Sequence, residues 1–341
     1  MRIAVIASPV TPLRPAQLGG AQAFLCDLAA GLARRGHTVT LHCTEGSDVE
    51  GVDLVTVPAP LDADSALVMP GGPPRPAAPG VEAALKEMFE SIPRDVDAVS
   101  QHAFDAPAFT LARDLPVLHT LHLPPIVPQV VAAAGEVPPE RLATVSVSSQ
   151  RLWRSAGVDA GRVLRNGVAE LEPPAAPVDR AVLVAGRLSP EKGVEDALAA
   201  ARAAGLPVRV AGAHYDPAYG VDLRGAEVLG PLPREDLRRM MARSAVTVCA
   251  VRWEEPFGMV AAEAQMAGCP VAAYRRGAMP EVVEDGVGGI LADPDDIDSL
   301  AAAIARCLDL DRAAVRASAV RRLGLEAAVD AYESALEVAA R

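Results

Sequence analysis

Ala181-Val182-Leu183-Val184-Ala185-Gly186-Arg187-Leu188-Ser189-Pro190-Glu191-Lys192-Gly193 reads as a buried strand, a loop bounded by two glycines, and the start of a helix. A short apolar run closed by Gly is the pattern of a strand covered on both faces. Such cover arises where helices pack above and below a parallel sheet, so the run predicts a doubly wound α/β layer. Its position makes it decisive. It follows the loose, Pro-containing stretch 167–177, and the alternation of strands and helices has already run once before that point.

Working back toward the N-terminus, residues 2–7 form a buried-strand pattern and 21–35 a helix stopped by Gly36. Further strands are expected at 37–42, 52–57, near 98–100, at 117–121 and at 144–148. Toward the C-terminus, strands are expected at 208–211, 227–229, 245–250 and 270–273, with helices between them. The expected architecture is two Rossmann-like, doubly wound parallel-sheet domains with a boundary near 166–178, facing each other across a cleft. The last helical stretch, 325–340, has no following strand and can pack on either domain. The stretch 58–80, dense in Pro, Gly and Ala, reads as a surface connection or as a mobile lid.

Composition narrows the function. The chain has 341 residues, half of them hydrophobic but only 3% aromatic, and a net charge of −12. That balance disfavours a base-stacking platform, a nucleic-acid partner or an acidic membrane surface. Five cysteines without a CxxC pair read as small buried residues of a reducing compartment. No apolar run is long enough to span a membrane, and the first residues lack the pattern of a signal peptide, so a cytoplasmic protein is expected.

The stretch Glu254-Glu255-Pro256-Phe257-Gly258-Met259-Val260-Ala261-Ala262-Glu263 carries the chemistry. Gly258 lets the backbone approach a ligand, and the helix expected to start there offers the free N–H groups of Met259 and Val260 to a phosphate. Glu263 follows Gly258 by five residues, about 7.5 Å along the helix axis, which is the reach from a phosphate to the hydroxyls of an attached ribose. A phosphate seat beside a carboxylate points to a nucleotide. In the 186–193 loop, Arg187 and Lys192 can neutralise a diphosphate, the first as a fork and the second as a point charge.

Other candidates are less specific. Gly19-Gly20 resembles a phosphate cradle without a Walker or dinucleotide fingerprint. His37 and His42 flank a strand and read as structural, while His214 lies in a loop. His102, His119 and His122 lie near strand ends, and His122, just before Leu123-Pro124-Pro125, is the best placed to face the cleft. The Asp-x-Asp triplets at 62–64, 95–97, 293–295 and 309–311 sit in Pro-rich or helix-capping contexts, so no metal site is assigned to them.

Taken in order, these pieces resemble a retaining glycosyltransferase of the GT-B fold, family-4-like. Gly19-Gly20 and Leu32-Ala33-Arg34-Arg35-Gly36-His37-Thr38-Val39 resemble its start, and Thr120-Leu121-His122 its T-x-H strand end. Asn166-Gly167-Val168 is similar to its interdomain link, Gly186–Gly193 to its G-R-L loop, and Glu255 with Glu263 to its E-x7-E motif. Ala267-Gly268-Cys269-Pro270-Val271 and Gly277 with Glu281-Val282-Val283 continue the likeness.

The resemblance implies an N-terminal acceptor domain (1–166, plus a returning helix 325–341) and a C-terminal donor domain (167–324). It also implies sugar transfer from a nucleotide-diphosphate donor to a hydroxyl, with no metal or other cofactor. The short N-terminal domain and the absence of a basic patch point to a small-molecule acceptor, with polymer and lipid acceptors left open. By position, Arg187 and Lys192 take the leaving diphosphate, Gly258, Met259 and Val260 a phosphate, and Glu263 the ribose. Glu255 and His122 fall at the donor sugar and reacting centre, and Gly20 near the diphosphate or the sugar. Gln22, Ala169, Ala278 and the run Ala250-Val251-Arg252-Trp253 depart from the family pattern. Two other readings fit the same fold, a nucleotide-sugar epimerase or hydrolase and a non-catalytic nucleotide-sugar binding protein.

Overall fold

The computed structural model describes all residues except 15–18, 67–77, 171–176 and 215–218. The chain divides into two compact units. The first comprises Met1–Pro15, Ala21–Gly167 and Glu326–Arg341, and the second Val168–Leu325 with Ala16–Gly20.

In the first unit, seven parallel strands form one sheet: β1 (Arg2–Ile6), β2 (Thr38–Thr44), β3 (Asp53–Val57), β4 (Ala98–Gln101), β5 (Val117–Leu121), β6 (Leu142–Thr144) and β7 (Arg162–Val163). Their spatial order is β3-β2-β1-β4-β5-β6-β7. Ile3, Val5, Leu41, Val99, Val117 and Leu118 are almost fully buried in it. Each such side chain contributes about 1.5–3 kcal/mol relative to an exposed one.

The helix Leu325–Ala339 buries Val329, Tyr332 and Leu336 on one face. Within the first unit, Val329 fills the space that a Cβ on Gly31 would enter, at 2.7 Å, and Tyr332 lies 5.6 Å from Phe24, centroid to centroid. Arg35 ties its exposed side down through Glu333 at 2.8 Å and Glu326 at 3.0 Å.

The second unit repeats the scheme with β8 (Val182–Ala185), β9 (Val208–Ala211), β10 (Ala226–Gly230), β11 (Val246–Cys249), β12 (Val271–Tyr274) and β13 (Gly289–Ala292), in the order β10-β9-β8-β11-β12-β13. Chain order reverses between β8 and β11, so their loops leave the same edge of the sheet in opposite directions and open a crevice at the strands' carboxyl ends. The helix Ile297–Cys307 covers one face. Asp296 caps it by accepting from the Ser299 amide at 2.9 Å, and Leu300, Ala303, Ile304 and Cys307 point into the core at helical spacing. The helix Arg312–Leu323 braces three neighbours. Arg312 donates to the carbonyls of Ala242 and Ser244, Arg316 to that of Met266, and Arg322 to those of Glu281 and Val282. These are the orphan carbonyls and negative ends of helices, which a guanidinium satisfies on both counts.

Three local expectations are corrected. The strand expected at 144–148 ends at Thr144, because the Ser146 hydroxyl accepts from the Ser149 amide at 2.9 Å and starts the helix Val147–Ser155. β7 and β13 are additional strands, two and four residues long, too short to show a period. Within 58–80, Ala63–Ala66 is helical and a helix begins at Pro79. The lid expectation falls largely on 67–77, outside the described residues.

Candidate functional site

The loop after β8 and the segment after β11 meet at the chain-order reversal of the second unit. Gly186 bonds its amide to Ala211 O at 3.0 Å, and a Cβ on Gly212 would stand 1.8 Å from Gly186 O. Gly193, with φ +62°, lies against β11's continuation, where a Cβ would come 1.8 Å from Ala250 O. The Arg252 amide donates to Glu191 O at 2.9 Å, so backbone alone fixes one loop on the other.

Between these anchors, the turn Pro190–Lys192 aims Lys192 across the crevice. Its Nζ lies 2.6 Å from Glu255 Oε2, and the Trp253 indole Nε1 donates to the same oxygen at 2.6 Å. The ammonium also sits 5.1 Å from the centre of the Trp253 ring, within cation–π range. Glu255 itself is held by its backbone. Its carbonyl accepts from the Ala278 amide at 2.8 Å, and Gly277 passes so close that a Cβ there would stand 2.4 Å from Glu255 N.

Arg187 lies 3.6 Å from Glu191, a buried carboxylate that also accepts from Ser189 Oγ at 2.6 Å. Gly258, at φ +101°, begins the helix Met259–Met266 with no side-chain cap, which leaves its first-turn N–H groups, those of Met259 and Val260 among them, without a capping side chain. At that φ any side chain is strained, which favours Gly; an added Cβ would also meet the Met279 methyl at 2.0 Å, a flexible tip that can move aside. Glu263 lies on that helix with its side chain nearly buried. Its Oε1 accepts from Arg234 Nε at 2.8 Å and lies 3.4 Å from an Arg238 terminal nitrogen. Gly20 groups with this unit, and a Cβ on it would lie 2.8 Å from the Met259 side chain.

The structure thus brings Lys192 and Glu255 into contact. It puts Arg187 beside Glu191 and gives Glu263 two arginine partners that sequence reasoning did not name. Arg234 and Arg238 stand at i,i+4 on the helix Arg234–Arg243, a spacing that puts both on one face and was the available signal. Trp253, one of two tryptophans in the chain, was noted only as a departure.

In the first unit, His122 follows β5 and is 5% exposed. Its Nε2 lies 2.8 Å from His102 Nδ1, and His102 Nε2 lies 2.8 Å from Ser100 Oγ. Burial lowers the His122 imidazole to about 4, so it is neutral at neutral pH. It borders a small apolar pocket that Phe104, Ile126, Val130 and Trp153 also line. His119 stacks on Phe109 at 4.9 Å, and His42 contacts Ser91. Among the described residues, no group of three or more His, Cys, Asp or Glu side chains is arranged to hold a metal ion, and no helix is long and apolar enough to cross a membrane.

Comparison with known proteins follows the same division. The family model described as Glycosyl transferases group 1 matches residues 172–322, and the one described as Glycosyltransferase Family 4 matches residues 18–169. A D-inositol 3-phosphate glycosyltransferase of Mycolicibacterium smegmatis is 28% identical, over 93% of this chain and 86% of its own length. A glycogen synthase of Mycobacterium tuberculosis is 32% identical over 49% of this chain and 44% of its own. Among solved structures, AviGT4, a glycosyltransferase involved in avilamycin A biosynthesis, superposes with TM-score 0.72 at 22% identity, covering 99% of this chain and 98% of its own. Anabaena HepE in complex with UDP and glucose gives TM-score 0.74 at 20% identity, covering 99% and 100%. These solved structures share the fold: two Rossmann-like parallel-sheet domains of the GT-B type.

Proposed function

Because this chain belongs to the group 1, family-4-like glycosyltransferases, we propose that it moves a sugar from a nucleotide-diphosphate donor to the hydroxyl of a small-molecule acceptor, with retention of the anomeric configuration and without a metal. The observation that carries this reading is the meeting of Lys192 and Glu255 at 2.6 Å in the crevice of the second sheet, next to the uncapped helix start at Gly258. A cation, a hydroxyl acceptor and free backbone N–H groups converge there, which is the set a sugar diphosphate requires.

In this reading the diphosphate lies against Lys192, Arg187 and the amides of Met259 and Val260. Glu255 accepts from a hydroxyl of the donor sugar, and Glu263 accepts from the ribose. As the bond from the anomeric carbon to the phosphate oxygen breaks, the acceptor oxygen bonds to that carbon on the same face. The acceptor's proton passes to the departing phosphate oxygen, and nucleoside diphosphate leaves. Negative charge grows on the diphosphate during the step, so the two cations stabilise the transition state more than the ground state. The first unit, with His122 beside its apolar pocket, is assigned the acceptor.

The complexes of HepE with UDP-glucose and with UDP and glucose support UDP as the first donor base to try. A panel of UDP-, GDP- and dTDP-sugars screened by thermal shift tests the reading, since a ligand of the native state raises Tm. One donor is expected to stabilise the protein and to yield an acceptor-dependent α- or β-product of unchanged configuration by NMR. A product formed from the donor alone would favour the epimerase or hydrolase reading. Binding with no product from any acceptor would leave a binding protein.

A further inference from the structure

We infer that Trp253 is a positioning residue for the donor sugar: its indole N–H keeps the Glu255 carboxylate aimed when Lys192 is drawn to the diphosphate. The inference rests on the donor reading above and adds a part that reading does not contain. Lys192 and Trp253 both donate to Oε2 of Glu255, each at 2.6 Å. Among the described residues, Oε1 has no such partner. One oxygen is fixed twice, and the other is presented to a hydroxyl.

The two donors differ in what a diphosphate does to them. Lys192 is a charge on a flexible four-carbon stem, so the larger negative charge of a diphosphate attracts it away from Glu255. Trp253 carries a neutral donor on a rigid ring with two side-chain torsions, and phosphate exerts no comparable pull on it. A carboxylate held by lysine alone would lose its orientation on donor binding, when the sugar hydroxyl needs it. Held by the indole, it does not.

The surrounding contacts make the indole able to do this. Arg252, its chain neighbour, is anchored by its amide on Glu191 O at 2.9 Å and by its guanidinium Nε on Asp196 at 3.1 Å. Glu255 is anchored through Ala278 at 2.8 Å. Trp253 is therefore fixed from both ends of a short segment. Its ring, 5.1 Å from the Lys192 ammonium, also offers the lysine a resting place from which it can reach either anion.

The test begins without a donor. Trp153 and Trp253 are the only tryptophans, so an indole-15N-labelled protein gives two indole N–H signals, assigned with W253F. In K192A, which imitates a lysine drawn away, exchange of the Trp253 N–H with solvent is expected to stay within threefold of wild type. In E255A it should accelerate at least tenfold. Equally fast exchange in both variants would overturn the inference, because Trp253 would then not hold Glu255 by itself.

The second arm measures function. W253F keeps the aromatic ring and loses only the donor. With UDP as probe its affinity should stay within twofold of wild type, while the transfer rate falls at least tenfold and W253F/E255Q is no worse than E255Q. Equal loss of UDP affinity and transfer would mark a merely structural tryptophan, and wild-type turnover would also defeat the proposal. If the wild type binds none of the sugar nucleotides, the donor reading fails and the sugar role with it. The exchange measurement still shows separately whether the contact exists.

Discussion

Gly193 lies directly against Ala250 where the two loops of the second unit's crevice meet: a Cβ on Gly193 would stand 1.8 Å from the Ala250 carbonyl oxygen. Gly193 also has φ +62°, where a side chain costs about 1–2 kcal/mol before any clash. The obstacle is backbone and cannot swing aside. G193A must therefore part the 186–193 loop from the end of β11 and carry Lys192 away from Glu255. The expected outcome is a loss of at least about 2 kcal/mol, or roughly 4–8 °C in Tm for a unit of this size, with loss of donor-induced stabilisation. Differential scanning fluorimetry with and without donor checks both.

Lys192 and Arg187 are predicted to act on the transition state, not on folding. Their side chains are partly exposed, at 23% and 31%, so truncation leaves no large cavity. In K192A, Glu255 retains the Trp253 donor at 2.6 Å. Each alanine variant should keep its circular dichroism and lower kcat by about 10²–10³, the usual effect of removing one preorganised partner of developing charge. Steady-state kinetics on the stabilising donor measures it. Near-normal turnover in both would remove the cations from the mechanism.

The two units should respond differently to acid. The first buries four histidines as neutral rings: His42 and His122 are lowered to about 4 and His119 to about 3, mainly by burial. His102 falls well below its usual value through burial and then the neighbouring His122. Below pH 6.5 the unfolded chain takes up these protons and the native unit does not, so its stability falls with pH through that window. Asp105, raised to about 6 by burial, works in the opposite direction, because its native carboxyl binds a proton at higher pH than the unfolded one. The net effect is that of about three histidines, on the order of 4 kcal/mol between pH 7.5 and 5.5. The second unit has only His214. Urea melts followed at Trp153 in the first unit should therefore shift to lower midpoints at pH 5.5, more than those followed at Trp253. Equal shifts would contradict the assignment.

How far the site could be read in advance follows from the range of the forces that build it. Most of the strands, the glycines at 186, 193 and 258, and the helix carrying Glu263 are set by local rules, periodicity and backbone freedom, and were legible; the short β7 and β13 show no period and were not. Placing Lys192 on Glu255 joins residues separated by 63 positions, and only the strand order β8-β11 brings their loops together. The indole on Glu255 gave no local sign, since a tryptophan in a loop reads equally as packing. The 144–148 run was misread because a single serine hydroxyl at Ser146 competed with the strand ladder.

Glu263 needs a different substitution from the others. Its carboxylate is nearly buried between Arg234 and Arg238, at 2.8 and 3.4 Å. Removing one partner of a buried ion pair typically costs about 3–5 kcal/mol, since the other charge remains in place. E263A is therefore expected to lose stability along with transfer, and its inactivity would not separate a ribose contact from a collapsed helix pair. E263Q keeps the volume and one carbonyl acceptor for the arginines, so it should lose less, about 1–2 kcal/mol. If Glu263 accepts from the ribose, E263Q should still weaken UDP binding by about tenfold, the value of one charge-assisted hydrogen bond. It should weaken 2′,3′-dideoxy-UDP hardly at all. Calorimetry with the two nucleotides on wild type and E263Q measures this difference. Equal weakening of both would show that Glu263 serves only to order Arg234 and Arg238.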